Sequence, residues 1–150
     1  MIRGLSFEMP NGHDSYLNTI LSGILLEKYT WMISEDDAFV DLENYLFNSD
    51  VFTGEAFIEI IATPSYYVLF ANIQAYRSED DFYEIETYAD FLHSKCELII
   101  FIVDAVFADI YAKDQIIIER IKKNAEENKF ENIRYITDEN DIRTEFSVNG

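Results

Sequence analysis

The densest run of polar groups in this 150-residue chain is residues 135–144, Tyr-Ile-Thr-Asp-Glu-Asn-Asp-Ile-Arg-Thr, directly after an apolar segment. Asp138, Asp141 and Arg143 can together hold a small polar ligand. A carboxylate among them would do acid–base work if it were desolvated, because burial disfavours its charged form. The same residue types also build turns, since Asp and Asn side chains bond nearby backbone. Arg143 then simply pairs with a neighbouring carboxylate. His93 and Cys96, three apart, suggest a thiolate–imidazole pair. Catalytic Cys and His normally come from distant parts of a chain, however. Cys96 also abuts the apolar run 98–103, where a thiol behaves as a small hydrophobe.

The tetrapeptide Ser34-Glu35-Asp36-Asp37 recurs as Ser78-Glu79-Asp80-Asp81. Carboxylates suit a hard cation such as calcium, which takes about six to eight oxygen ligands. Neither copy carries the glycine and closing glutamate of a calcium loop, so two solvated acidic loops are the simpler expectation. Glycine-rich phosphate loops, nucleophile elbows and HExxH or CxxC metal patterns are absent from the sequence. No cofactor and no metal are expected, and no catalytic residue is assigned.

Charge is the extreme property. Lys and Arg number 11 against 29 Asp and Glu, a formal net charge of −18. Binding to a nucleic-acid backbone needs a basic footprint, and an anionic membrane surface repels such a chain, so both are excluded as expected partners. Between Lys28 and Arg77 there is no basic residue, while Glu35, Asp36, Asp37, Asp41, Glu43, Asp50, Glu55 and Glu59 accumulate. Trp31, Phe39, Tyr45, Phe47 and Phe52 interleave with them. Aromatic anchors inside a charged rim are the composition of a protein interface, although they are equally the composition of a core. The interface reading gives a non-enzymatic module for a basic protein partner, of the immunity or regulatory-inhibitor kind. Its contact residues would be Trp31, Glu35, Asp36, Asp37, Asp41 and Glu43. The alternative is a small-molecule binder or minor enzyme built on Asp138, Asp141 and Arg143. Nothing in the sequence sets the oligomeric state.

These residues need a scaffold. The length suits one domain, and 12 Phe, 10 Tyr and one Trp argue against disorder. The first residues lack a basic stretch followed by an apolar core, and the longest apolar run has six residues, so a cytoplasmic location is expected. Residues 2–7 read as a strand. Asp14 or Ser15 then caps a helix carrying Leu17, Ile20, Leu21, Ile24 and Leu25 at helical spacing. Residues 29–33 and 38–42 read as two strands turned by the acidic tetrapeptide. Thr53 opens a helix over Phe57, Ile60 and Ile61, and residues 66–76 form the best central strand. A short helix at 87–93 carries Tyr88, Phe91 and Leu92 on one side. Residues 97–103 and 106–112 form a hairpin through Asp104-Ala105. Asp114 opens a helix with Ile117, Ile118, Ile121 and Ala125 inward. Residues 133–137 close the sheet, with 143–148 as an edge. The expected fold is a single α+β domain: a mixed β-sheet with about four helices packed mainly on one face.

Several stretches resemble a known family. They are residues 3–8, 66–76, 94–96, Val103-Asp104 and the 135–144 run. Together they look like a family of small acidic proteins, mostly from spore-forming Gram-positive bacteria, catalogued as domain of unknown function 2691. That resemblance spans nearly the whole chain. It implies a single cytoplasmic domain and brings no reaction, cofactor or partner with it.

Overall fold

Local capping sets where the helices start. The Thr53 hydroxyl accepts from the Ala56 amide at 3.2 Å, and the Asp114 carboxylate accepts from the Ile116 amide at 2.9 Å. Each satisfies one of the amides a first helical turn leaves unpaired. In the computed structural model, which describes residues 1–148, the strands are β1 (Ile2–Glu8), β2 (Thr30–Phe39), β3 (Val51–Thr53), β4 (Tyr67–Tyr76), β5 (Leu98–Val103), β6 (Phe107–Ala112) and β7 (Glu131–Thr137). The helices are α1 (Tyr16–Ile20), α2 (Gly54–Ile61), α3 (Tyr88–His93) and α4 (Gln115–Glu127).

All seven strands join one sheet in the order β3-β2-β4-β5-β6-β1-β7, and every neighbouring pair is antiparallel. The chain is α+β as expected, but the mixed sheet is corrected. Helix α2 joins β3 to β4, and α4 joins β6 to β7. Strands joined in this way run parallel, as a helical crossover requires. They never become neighbours, because β2 is inserted in the first unit and β1 in the second. Both are split β-α-β units, each with an antiparallel strand in its middle.

The helices do not share one face. Leu17 and Ile20 of α1, Phe57 and Ile61 of α2, and Ile117, Ile118, Ile121 and Ala125 of α4 pack on the first face with Leu5, Phe7, Trp31, Ile73 and Ile100. The opposite face, with Tyr76, Ile99, Phe101 and Tyr111, is covered by Phe91 of α3 and by Phe146 and Val148 of the C-terminal segment. That double cover explains why β5 is an unbroken apolar run with both its faces buried. Residues 143–148, expected as an edge strand, instead form a strap without strand structure across this second face. Phe146 is its anchor, 4.6 Å from the Tyr111 ring and 5.3 Å from Phe101.

Two further expectations are corrected. The first helix stops at Ile20, well short of Leu25, which is exposed. Gly23 at φ +83° takes the chain through a left-handed turn, and the Arg120 guanidinium lies where a side chain at Gly23 would be. The Asn124 amide donates to the carbonyls of Ile20 and Ser22, so α4 terminates α1. The acidic tetrapeptide at 34–37 is not a hairpin turn. It is a bulge inside the single strand β2, with Glu35 at φ +50° and the pairing to β4 slipping between Ser34 and Asp37. The hairpin through Asp104 and Ala105 forms as expected. Both residues have positive φ, as a turn matched to strand twist requires.

Candidate functional site

Two places on this frame gather side chains that can recognise something, one at each end of the sheet. At the β2 end, the bulge leaves Asp36 and Asp37 exposed, and the chain then leaves Phe39 into a tight loop. The Asp41 carboxylate builds that loop by accepting from the Glu43 amide at 2.9 Å and the Asn44 side chain at 2.8 Å. These bonds hold the Asp41 carboxyl below its ordinary range. The Val40 amide closes the loop onto the Asn44 carbonyl at 2.8 Å. Leu42 at its tip is fully exposed, and Tyr45 is 68% exposed. With Phe39, Asp41, Glu43 and Asn44 they line an open depression of about 310 Å³. The Asp36 carboxyl sits above its ordinary range. The residue as a whole is exposed, yet neighbouring atoms shield its carboxylate from water, and Asp50 and Asp37 repel its charge.

Two residues expected on this surface lie elsewhere. Trp31 is wholly buried, its indole N–H donating to the Leu26 carbonyl at 3.1 Å and its ring stacked 4.1 Å from Phe57. It is a core residue. Glu35 turns onto the second sheet face, where it accepts from the Asn72 side chain at 3.0 Å and from the Ser147 hydroxyl. Gln74 donates to Asn72, and Tyr76 to Gln74, so a polar file runs inward beneath the strap. Asp36, Asp37, Asp41 and Glu43 remain at the surface. Leu42, expected at the end of a strand over 38–42, is exposed because β2 stops at Phe39 and the chain turns away from the sheet.

At the other end, strands β6, β1 and β7 carry the second place. Asp109, Ser6 and Arg134 stand in one row across three strands, Ser6 being the register partner of both others. They floor a cleft of about 300 Å³ whose wall is Asn140, Asp141, Ile142, Arg143, Thr144 and Glu145. Asp141 is the keystone of that wall. Its nearly buried carboxylate accepts from Arg3 at 3.1 Å, from the Tyr111 hydroxyl at 2.9 Å and from the Arg143 amide at 3.1 Å. Burial, reinforced by the Asp141 charge, pushes the Tyr111 hydroxyl up, so it stays a donor. Arg143 reaches Asp109 at 2.7 Å and the Ser147 carbonyl at 2.9 Å, with its guanidinium 4.3 Å above the Phe101 ring. Its Nε is buried without a partner.

The structure thus brings Asp141 and Arg143 to one cleft and leaves Asp138 outside its lining. Asp138 is bonded instead by Arg3 at 2.8 Å and lies 3.6 Å from the N-terminal amine. The Arg3 contact holds its carboxyl below the ordinary carboxylate range. Arg3, Ser6, Asp109 and Arg134 went unnoticed in sequence because they come from three strands far apart in the chain. Cys96 is buried and its thiol is pushed up to about 12 by that burial, which removes it as a nucleophile. No helix is long and apolar enough to cross a membrane among the described residues.

The chain is 34% identical over 153 residues to the uncharacterized protein YncE of Bacillus subtilis (strain 168), an overlap of 99% of this chain and 100% of that one. No solved structure matches it. Residues 2–147 match the family described as protein of unknown function (DUF2691), a span that takes in all seven strands, the acidic loop and nearly all of the strap. With fold and cleft both inside that span, the chain belongs to the DUF2691 family.

Proposed function

We propose that this protein is a non-enzymatic binding module that docks a basic protein segment on the loop of residues 40–45 and the neighbouring bulge. The observation that carries the reading is the pairing of fully exposed Leu42 and largely exposed Tyr45 with Asp41 and Glu43, beside exposed Asp36 and Asp37. Apolar anchors contribute most of the binding energy in protein interfaces, while a rim of one charge sign steers an oppositely charged partner and speeds its approach. Residues 29–76 contain no Lys or Arg, so nothing local neutralises that rim. Asp36 supports the reading further: its carboxylate is partly shielded from water and repelled by Asp50 and Asp37, so a lysine or arginine brought beside it stabilises its charged form.

The test is capture from native lysate at low and high salt, with the wild type beside a variant carrying Leu42→Ser and Glu43→Lys. Asp41 is left alone because its carboxylate builds the loop. A basic protein held by the wild type, released by salt and lost by the variant supports the proposal, and the purified pair must then reproduce the same pattern. Recovery of the bait alone, or a partner the variant keeps, overturns it.

A further inference from the structure

We propose that the cleft floored by Asp109, Ser6 and Arg134 binds a small zwitterion of the α-amino-acid class, its carboxylate on Arg134 and its ammonium on Glu145 beside Asp109. The argument starts from what each group is free to do. Arg3, Arg143, Asp109 and Asp141 are tied to one another and to the strap, and they form a rigid wall. The side chains of Arg134 and Glu145 line the same cleft and make no hydrogen bond or ion pair among the described residues. The cleft therefore offers one free positive and one free negative group, with the hydroxyls of Ser6 and Thr144 in the same lining.

Size narrows the class. Two strand spacings separate Asp109 from Arg134, about 10 Å of floor. A volume of about 300 Å³ is at the small end for ligand pockets, fit for an amino acid and cramped for a nucleotide. Charge narrows it again. A molecule of net charge −18 repels a simple anion at long range, whereas a simple cation, though drawn to the Glu145 carboxylate, leaves the Arg134 guanidinium without a counter-charge. A ligand with both charges and no net charge meets neither objection. The proposal is independent of the acidic loop, which lies at the other end of the sheet.

The experiment is a two-dimensional amide NMR titration of the whole protein with free L-α-amino acids, one at a time at millimolar concentrations. Beside them run N-acetylglycine, which lacks the ammonium, an amino-acid methyl ester, which lacks the carboxylate, and sodium acetate. Saturable shifts at Ser6, Arg134 and Thr144 with a free amino acid, and none with the three controls, are expected. Arg134→Gln and Glu145→Gln should each weaken binding about ten-fold or more, because each removes one charge-assisted bond. Both side chains are exposed and hold nothing else in place, so the melting temperature should stay at the wild-type value. No saturable shift with any amino acid, equal binding of acetate, shifts centred elsewhere, or unchanged affinity in both variants overturns the proposal.

Discussion

Trp31 shows what a single side chain contributes to this protein. Its ring lies face to face with Phe57, edge-on to Tyr29 at 5.8 Å, and its N–H is satisfied by a backbone carbonyl. Trp31→Ala should cost about 3–5 kcal/mol, the loss expected when a buried aromatic leaves a cavity, measured by urea unfolding followed by circular dichroism. A loss below 1 kcal/mol, by the same scale of core truncations, would mean that the stack is not part of the core. The indole should also emit as a buried tryptophan and stay unchanged when a partner docks. Asp138 gives the pH dependence. Its carboxyl is held low in the folded state, so its pairing with Arg3 contributes fully above the ordinary carboxylate range and is lost as pH falls through the depressed folded value. Asp138→Asn should flatten the fall in melting temperature below about pH 4, and an unchanged acid limb would show that this pair contributes nothing. Sequence could not separate Trp31 the anchor from Trp31 the core residue, because an aromatic among acidic neighbours is consistent with both. The periodic residues were legible: Ile117, Ile118, Ile121 and Ala125 are all buried, as their spacing demands.

Strand β7 is a seven-residue edge, and its exposed backbone would pair readily with another chain. Asn140 blocks this. Its side-chain carbonyl accepts from the Thr137 amide at 2.8 Å, and its side-chain N–H donates to the Tyr135 carbonyl at 3.0 Å, imitating a neighbouring strand. Asn140→Ala should leave those two groups open and produce concentration-dependent self-association, read by light scattering. A variant that self-associates no more than the wild type across the concentration range would show that the edge is guarded by something else. The turn-prone composition of residues 138–141 was legible, but its target was not, since a cap on an edge strand is defined only once the sheet order is known. The same limit hid the bulge in β2. A strand bent through Glu35 and a hairpin turning there have the same local sequence, and only pairing with β4 along its whole length distinguishes them. By contrast, the caps of α2 and α4 and the hairpin at Asp104 are decided within a few residues, and each was legible.

For the whole molecule, charge works against compactness. Only eight ion pairs offset 29 acidic residues among the described part of the chain, so folding concentrates unneutralised carboxylates. Added sodium chloride should therefore raise the melting temperature by screening that repulsion, the opposite of its effect on a protein held by surface pairs. A melting temperature that falls with salt would show that the ion pairs outweigh the repulsion. The arrangement also separates two tasks. The acidic loop sits at the β2 end, while the cleft with its arginines sits at the β7 end. One end is thus built on residues 29–76, which hold no Lys or Arg, while the other sets Arg3, Arg134 and Arg143 among carboxylates; the first is legible in sequence, but the second is not, because the fold alone brings Arg3 and Arg143 to Asp141.

The position of β1 has a consequence for biosynthesis. Strand β1, made before the other six, is flanked in the finished sheet by β6 and β7, so Gly4 must await Tyr111, and Leu5 must await Tyr135. Pairings so distant along the chain slow folding, and this side of the sheet cannot close until β6 and β7 have left the ribosome. Until then β1 offers two bare edges and the side chains of Leu5 and Phe7 to any chaperone that meets the chain. A nascent chain with that exposure is a candidate for such help.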